Sequence, residues 1–136
     1  FRRVLFRSVV KATFIAMCSV LVVSLALCLF SLFYQDKTLA GLDEMRTQAI
    51  SLVDADDLSG AKEKIVQLAD TFKGKSKLLE MIASHNDLHD AYLHIVAAKI
   101  SLELDDINDT CKELALLGET LSHLRQHEAF TISNLY

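Results

Sequence analysis

The chain has 136 residues, 14 Lys and Arg against 18 Asp and Glu for a formal charge of −4, and a hydrophobic share of 51%. With no Pro, no Trp and four Gly, it is not a collagen-like, disordered or disulfide-scaffold chain. A nucleic-acid binder carries a basic excess and a β-sandwich or barrel carries turn-forming Gly and Pro; neither is found here, so the fold class is all-α.

The opening FRRVLFRS back-translates to the end of a widely used short-read sequencing adapter. Residues 1–8 are therefore expected to be an assembly artefact, with Val9 an internal residue of the native chain. Without Arg2, Arg3 and Arg7 the formal charge falls to −7.

Residues 12–35 carry no charge. As a helix this run of roughly 24 residues is about 36 Å long, enough for a hydrocarbon core of about 30 Å. Lys11 borders it on one side, Asp36 and Lys37 on the other, and Tyr34 sits where an interfacial aromatic belongs. The expectation is a single-pass anchor over residues 9–35, in contact with the lipid bilayer through residues 12–35. A cleaved signal peptide has a shorter apolar stretch, of about 7–15 residues, and a small-residue cleavage site that SLFYQD does not offer. A lipoprotein anchor needs a small residue before its Cys, whereas Cys18 follows Met17 and Cys28 follows Leu27. Lys11 against Lys37 and Arg46 gives no positive-inside bias. The expected placement is the usual one for a bacterial protein with a single N-terminal span, with the C-terminal domain outside the cell membrane. Ala12 and Ala16, and Ser24 and Cys28, are small residues four apart, a spacing that permits close helix–helix approach and a homo-oligomer.

From Tyr34 onward ten basic residues face eighteen acidic ones. Anionic headgroups repel such a surface, so the domain over residues 36–136 is expected to stand off the membrane and to meet a protein partner of unknown identity. Cys111 has no soluble partner, and packing is the default role of all three cysteines.

Apolar spacing divides this domain into four helices. The first, over 37–53, puts Leu39, Leu42, Ala49, Ile50 and Val53 on one side. After DADDLSG, where Asp56 or Asp57 can cap, the second runs over 58–73 with Leu58, Ala61, Ile65, Leu68 and Phe72 in step, and Gly74 ends it. The third, over 76–103, has Leu78, Ile82, Tyr92, Val96 and Ile100 on its arc. Asp105 or Asp106 caps the fourth, over 107–126, where Ile107, Cys111, Leu114, Leu117, Leu121 and Leu124 share a face. Ile50-Ser51-Leu52 recurs as Ile100-Ser101-Leu102, and Asp56-Asp57-Leu58 as Asp105-Asp106-Ile107. A spacing of about 50 residues, unlike the ~34 of a tetratricopeptide unit, reads as two helical hairpins packed together. The expected architecture is one N-terminal transmembrane helix followed by a four-helix, two-hairpin bundle.

Candidate chemistry is sparse. His85 and His89 stand four apart, the spacing two zinc ligands on one helix face require, but the segment lacks the Glu of an HExxH motif. Projected on the third helix, both fall on its apolar arc, so the leading reading is a buried structural histidine. A metal or proton-linked site and a partner contact are the alternatives. His123 and His127, with Glu128 beside them, project away from the fourth helix's arc and read as a solvated pair. The clusters Asp54, Asp56, Asp57 and Asp105, Asp106, Asp109 lack the EF-hand pattern and are better explained as caps. Lys73, Lys75 and Lys77 read as a solvated turn around Gly74. No phosphate loop, nucleophile elbow or Cys-pair zinc pattern occurs, so neither a cofactor nor catalytic residues are expected.

The acidic turn followed by Ala61, the TFKGKSKLL around Phe72, the SHNDLHD with His85 and Asp87, and the closing SNLY together resemble a bacterial family known as domain of unknown function (DUF) 4363. Its members carry aromatic residues, often Trp, near Phe72 and Leu79, where this chain has Phe and Leu. The resemblance implies a small protein with an N-terminal membrane helix and a helical remainder, and it implies no activity. The expected function is non-enzymatic: a membrane-anchored bundle that mediates protein contacts. The alternatives are an extracytoplasmic ligand-sensing bundle and a metal-binding domain using His85 and His89.

Overall fold

The computed structural model describes the backbone of residues 2–133 and the side chains of residues 10–126. Four helices follow one another: α1 (Arg2–Asp54), α2 (Leu58–Leu79), α3 (His85–Glu103) and α4 (Ile107–Ser133), with no strand among the described residues. The chain divides into two units, Phe1–Tyr34 and Gln35–Tyr136. The first holds the apolar part of α1. The second is the bundle, built from the rest of α1 and from α2, α3 and α4.

The bundle core has two layers. Around the α1–α2 and α3–α4 turns, Ala49, Val53, Ala61, Ile65, Ala98, Leu102 and Leu114 pack together. Toward the end where Gln35 enters, Leu39, Leu42, Leu68, Phe72, Leu79, Leu88, Ala91, Ile95, Leu117, Leu121 and Leu124 form the larger layer. All four helices contribute to both layers. On α2 and α4 the spacing selects the middle of each buried stripe, Ala61 to Phe72 and Leu114 to Leu124; Leu58, Ile107 and Cys111 are half-buried, and Leu79 and Thr110 are buried besides.

The two turns that close the hairpins are alike in detail. Asp56 and Asp105 both adopt a left-handed backbone, with φ of 61° and 57°. In the first turn the Asp57 N–H donates to Leu52 O and the Asp56 N–H to Val53 O, at 2.9 and 3.0 Å. In the second the Asp106 N–H donates to Ser101 O and the Asp105 N–H to Leu102 O, at 2.9 and 3.3 Å. This is the Schellman ending, in which glycine is the usual left-handed residue. Each turn then starts its next helix in the same way. The Asp57 carboxylate accepts from the Gly60 N–H at 2.9 Å, and that of Asp106 from the Asp109 N–H at 3.0 Å. In this register Leu52 corresponds to Ser101 rather than to Leu102, so the Ile-Ser-Leu echo lies one residue out of phase with the turns.

Four helix boundaries differ from the spacing-based reading, one of them the end of α4, which runs on past residue 126 to Ser133. Residues 37–53 do not form a separate helix but the end of α1, since nothing after Tyr34 breaks it. Helix α2 passes through Gly74 to Leu79. Gly costs a helix interior only about 1 kcal/mol relative to Ala, and the fully buried Leu79 holds the last turn in place. Helix α3 consequently starts at His85, and Leu78 and Ile82 are not on it. Ser84, extended at φ −60° and ψ 124°, precedes it, and Asp87 occupies its first turn, where the helix dipole favours an anion.

One close approach fixes α1 against α4. Arg46, between Asp43 and the α4 backbone, donates from Nε to Asp43 Oδ1 at 2.7 Å and from Nη1 to Leu114 O at 3.4 Å. Its guanidinium lies over Gly118, where a Cβ would stand 2.8 Å from Arg46 Cζ. At the end where Gln35 enters, Arg125 on α4 reaches Asp36 on α1, with Nε and Nη2 at 2.9 and 2.8 Å from Oδ1. Gln35 itself is buried there, and its Oε1 has no hydrogen-bond partner.

The paired turns carry a prediction in which neighbouring residues act in opposite directions. Asp56→Gly and Asp105→Gly should each raise stability, by about 1 kcal/mol, because glycine adopts the left-handed backbone without a Cβ clash. Asp57→Ala and Asp106→Ala should each lower it by about 1 kcal/mol through loss of the cap. Urea unfolding of the detergent-solubilised protein, followed by far-ultraviolet circular dichroism, measures both.

Candidate functional site

The first unit carries its apolar surface outward. Phe14, Ile15, Leu21, Leu25, Phe30 and Phe33 are each more than half exposed. Among the described residues, Val10–Asp54 holds the one stretch long and apolar enough to cross a membrane, with mean hydropathy 2.6 and none of it buried in the protein. Two of its hydroxyls are satisfied within the helix: Ser19 Oγ donates to Ala16 O at 2.8 Å and Ser24 Oγ to Leu21 O at 2.9 Å. A lipid environment requires this, because it offers no water to take up the bond. Such a helix is compatible with a membrane anchor and with a signal sequence.

Within the bundle, α2 and α3 leave a cleft of about 200 Å³ between them. Phe72, Lys73, Ser76 and Glu80 line it from α2 and its end; His85, Leu88, His89 and Tyr92 line it from α3. The Phe72 and Tyr92 rings stack with centroids 6.2 Å apart, and Lys73 Nζ lies 5.7 Å from the Tyr92 centroid. The cation thus sits over an electron-rich ring face. Ser76 Oγ donates to Lys73 O at 3.0 Å. The three lysines are therefore not a turn: they lie on the last turns of α2, and Lys73 is packed on Tyr92.

The structure brings His85 and His89 to this one cleft, but not into the core. Both are exposed, against the expectation of a buried histidine. The reason is the position of the buried stripe on α3. It runs through Leu88, Ala91, Ile95, Ala98 and Leu102, whereas Tyr92 and Val96 are half-buried and Ile100 is half-exposed. At about 100° per residue, that stripe lies roughly a third of a turn from the arc of Tyr92, Val96 and Ile100. Among the described residues no three His, Cys, Asp or Glu side chains converge as a metal site would need. His123 is exposed on α4; the side chains of His127 and Glu128 and all of residues 134–136 lie outside the described residues.

A polar network that spacing alone does not reveal ties α3 to α4. His94 Nδ1 stands 2.8 Å from Glu113 Oε2, both mostly buried. Ser101 Oγ donates to Asp109 Oδ2 at 2.7 Å, and Lys112 Nζ lies 3.2 Å from Asp109 Oδ1 and 3.5 Å from Glu113 Oε1. The Ser101 hydroxyl, then Lys112, hold the Asp109 carboxyl below its ordinary value. Asp109 and Glu113 in turn raise the Lys112 ammonium. Cys111, half-buried beside the turn-side layer, has its thiol pushed up by burial and by the Asp54 carboxylate. That suits a packing residue and opposes thiolate chemistry.

A second cleft, of about 370 Å³, lies along α1 and α4 and is lined by Asp36, Asp43, Gly118, Leu121, Ser122 and Arg125, together with Gln126. Its charged groups are already paired with one another or with Arg46.

Residues 29–135 match the family described as Domain of unknown function (DUF4363). The chain belongs to this family. The DUF4363 match takes in all of the bundle up to residue 135 and begins within the apolar run of α1. No curated protein and no solved structure matches the chain.

Two measurements follow. A carboxyl held below its ordinary value contributes stability that is present above the unfolded-state pKa and lost as pH falls through the folded one. Unfolding free energy should therefore drop as pH falls below about 4, and Asp109→Asn should flatten part of that decline in acid titrations followed by circular dichroism. Zinc content, measured on purified protein dialysed against the metal, should be equal and near zero in the natural chain and in a His85→Ala, His89→Ala double variant.

Proposed function

We propose that this DUF4363 protein is a non-catalytic, single-pass membrane protein whose helical bundle makes contacts with a protein partner. One observation carries the reading: the helix over residues 10–33 presents large apolar side chains on every side and no part of the protein covers them. In water such a surface is a severe liability, and a bilayer is the solvent that removes it. Supporting it, the bundle closes its own core without help from the apolar run, since both core layers begin at or after Leu39. The anchor then has no structural task left except attachment.

On this reading the bundle is presented outside the cell membrane of a bacterium. Its surplus of eighteen acidic over ten basic residues would favour a partner of opposite charge, or a second copy through the anchor. The cleft between α2 and α3 favours a second reading, an extracytoplasmic bundle that senses a small ligand, because it combines apolar walls with convergent polar groups.

Alkaline carbonate extraction tests the attachment. The natural chain should stay in the membrane pellet at its full length. Val23→Asp, which adds about 2.5–3.5 kcal/mol to insertion of the helix centre, should move a large share of the protein to the soluble fraction. Release of the natural chain, or a shortened product starting after residue 35, would overturn the anchor.

A further inference from the structure

The corner between α2 and α3 exposes apolar side chains that the bundle does not use. Leu78 is 52% and Met81 80% exposed, while Leu79 between them is fully buried. The neighbouring Ile82 and Ala83 are half-buried. Lys73 and Lys77 lie exposed on the turns of α2 that lead into this corner, and Lys75 is half-buried among them. The acidic groups at the same corner are Glu80, Asp87 and, one turn into α3, Asp90.

The corner has a definite place in the bundle. Leu79 and Leu88, which flank it, share a core layer with Leu39 and Leu124, so it lies at the end where Gln35 enters. Gln35 follows the apolar run directly in the chain. The opposite end holds both hairpin turns, where Asp54, Asp56, Asp57, Glu103, Asp105 and Asp106 are all exposed. Six exposed carboxylates thus sit together at the turn end without an exposed lysine or arginine beside them in the turns, whereas the corner sets Lys73 and Lys77 and bare aliphatic side chains beside Glu80, Asp87 and Asp90.

We propose that the α2–α3 corner is a second, interfacial contact with the bilayer, in which Leu78 and Met81 enter the boundary between headgroups and acyl chains while Lys73 and Lys77 face acidic lipid phosphates. The proposal rests on the anchor reading above and adds to it a second point of attachment, made by the bundle itself. Methionine suits this role, because its flexible thioether adapts to a disordered surface. Snorkelling lysines beside aliphatic side chains are the usual chemistry of an interfacial segment.

The chain contains no Trp, so a single introduced Trp reports without background. Met81→Trp, Leu104→Trp at the acidic end, and Phe14→Trp in the apolar run are each reconstituted as full-length protein. The vesicles are phosphatidylcholine and phosphatidylglycerol, with bromines placed either near the headgroup or near the bilayer centre. Headgroup-level bromines should quench Met81→Trp about twofold or more, as expected for side chains about 5–10 Å into the boundary. They should leave Leu104→Trp unchanged, and central bromines should quench Phe14→Trp. Leu78→Trp repeats the test on the other exposed side chain. Quenching of Phe14→Trp without quenching of Met81→Trp and Leu78→Trp overturns the corner contact and leaves the anchor standing. No quenching of Phe14→Trp overturns the anchor itself. A blue-shifted Met81→Trp that bromine cannot reach places the corner against protein, and the proposal fails.

Discussion

Each helix of the bundle carries one apolar stripe and cannot satisfy it alone. Isolated helices of about 12–15 residues are marginal in water, and burial of a large aliphatic side chain is worth about 1.5–3 kcal/mol. The stripes of α2 and α4, from Ala61 to Phe72 and from Leu114 to Leu124, are therefore stable only against α1 and α3. This mutual burial brings both hairpin turns to one end and leaves most of the charged side chains outside, with His94, Glu113 and Arg46 taken in only as paired groups. His85, His89 and the lysines of α2 are surface features because the core has no space for them.

Three of the four stripes are legible in the amino-acid spacing itself: on α1, Leu39, Leu42, Ala49 and Val53 are buried and Ile50 half-buried, as their spacing implies. On α2 and α4 the apolar residues recur at steps of three and four, and the middle of each series is buried. On α3 the same method selects the wrong face. Its interior is built from Ala91, Ala98 and Ser101 beside Leu88, Ile95 and Leu102. Its larger residues Leu93 and Ile100 are half-exposed. A reading weighted toward big hydrophobic side chains is drawn to the surface side, and it carries His85 into the core with it. The start of α3 does have a signal: Ser84 followed three residues later by Asp87 is the spacing of a capping box. Gly74 is the competing signal and the weaker one, since an exposed glycine costs less than the burial of Leu79 returns.

The polar network between α3 and α4 illustrates a different limit. Nothing about His94 and Glu113, nineteen residues apart, suggests contact until the hairpin between them is registered. Once the left-handed Asp105 is placed, Ser101 and Asp109 stand four residues to either side of it and meet. The first hairpin has Leu52 and Gly60 at the matching positions, so the two halves share their turns and their core but not this polar contact. A similar backbone carries a hydroxyl–carboxylate pair in one copy and a leucine and a glycine in the other.

The Arg46 guanidinium resting in the gap left by Gly118 acts as a key in a notch. The same guanidinium also reaches Leu114 O, one turn back along α4. With Arg125 on Asp36 nearer the Gln35 end, α1 and α4 are tied at two points, so a load on the bundle's first helix is passed to its last through both.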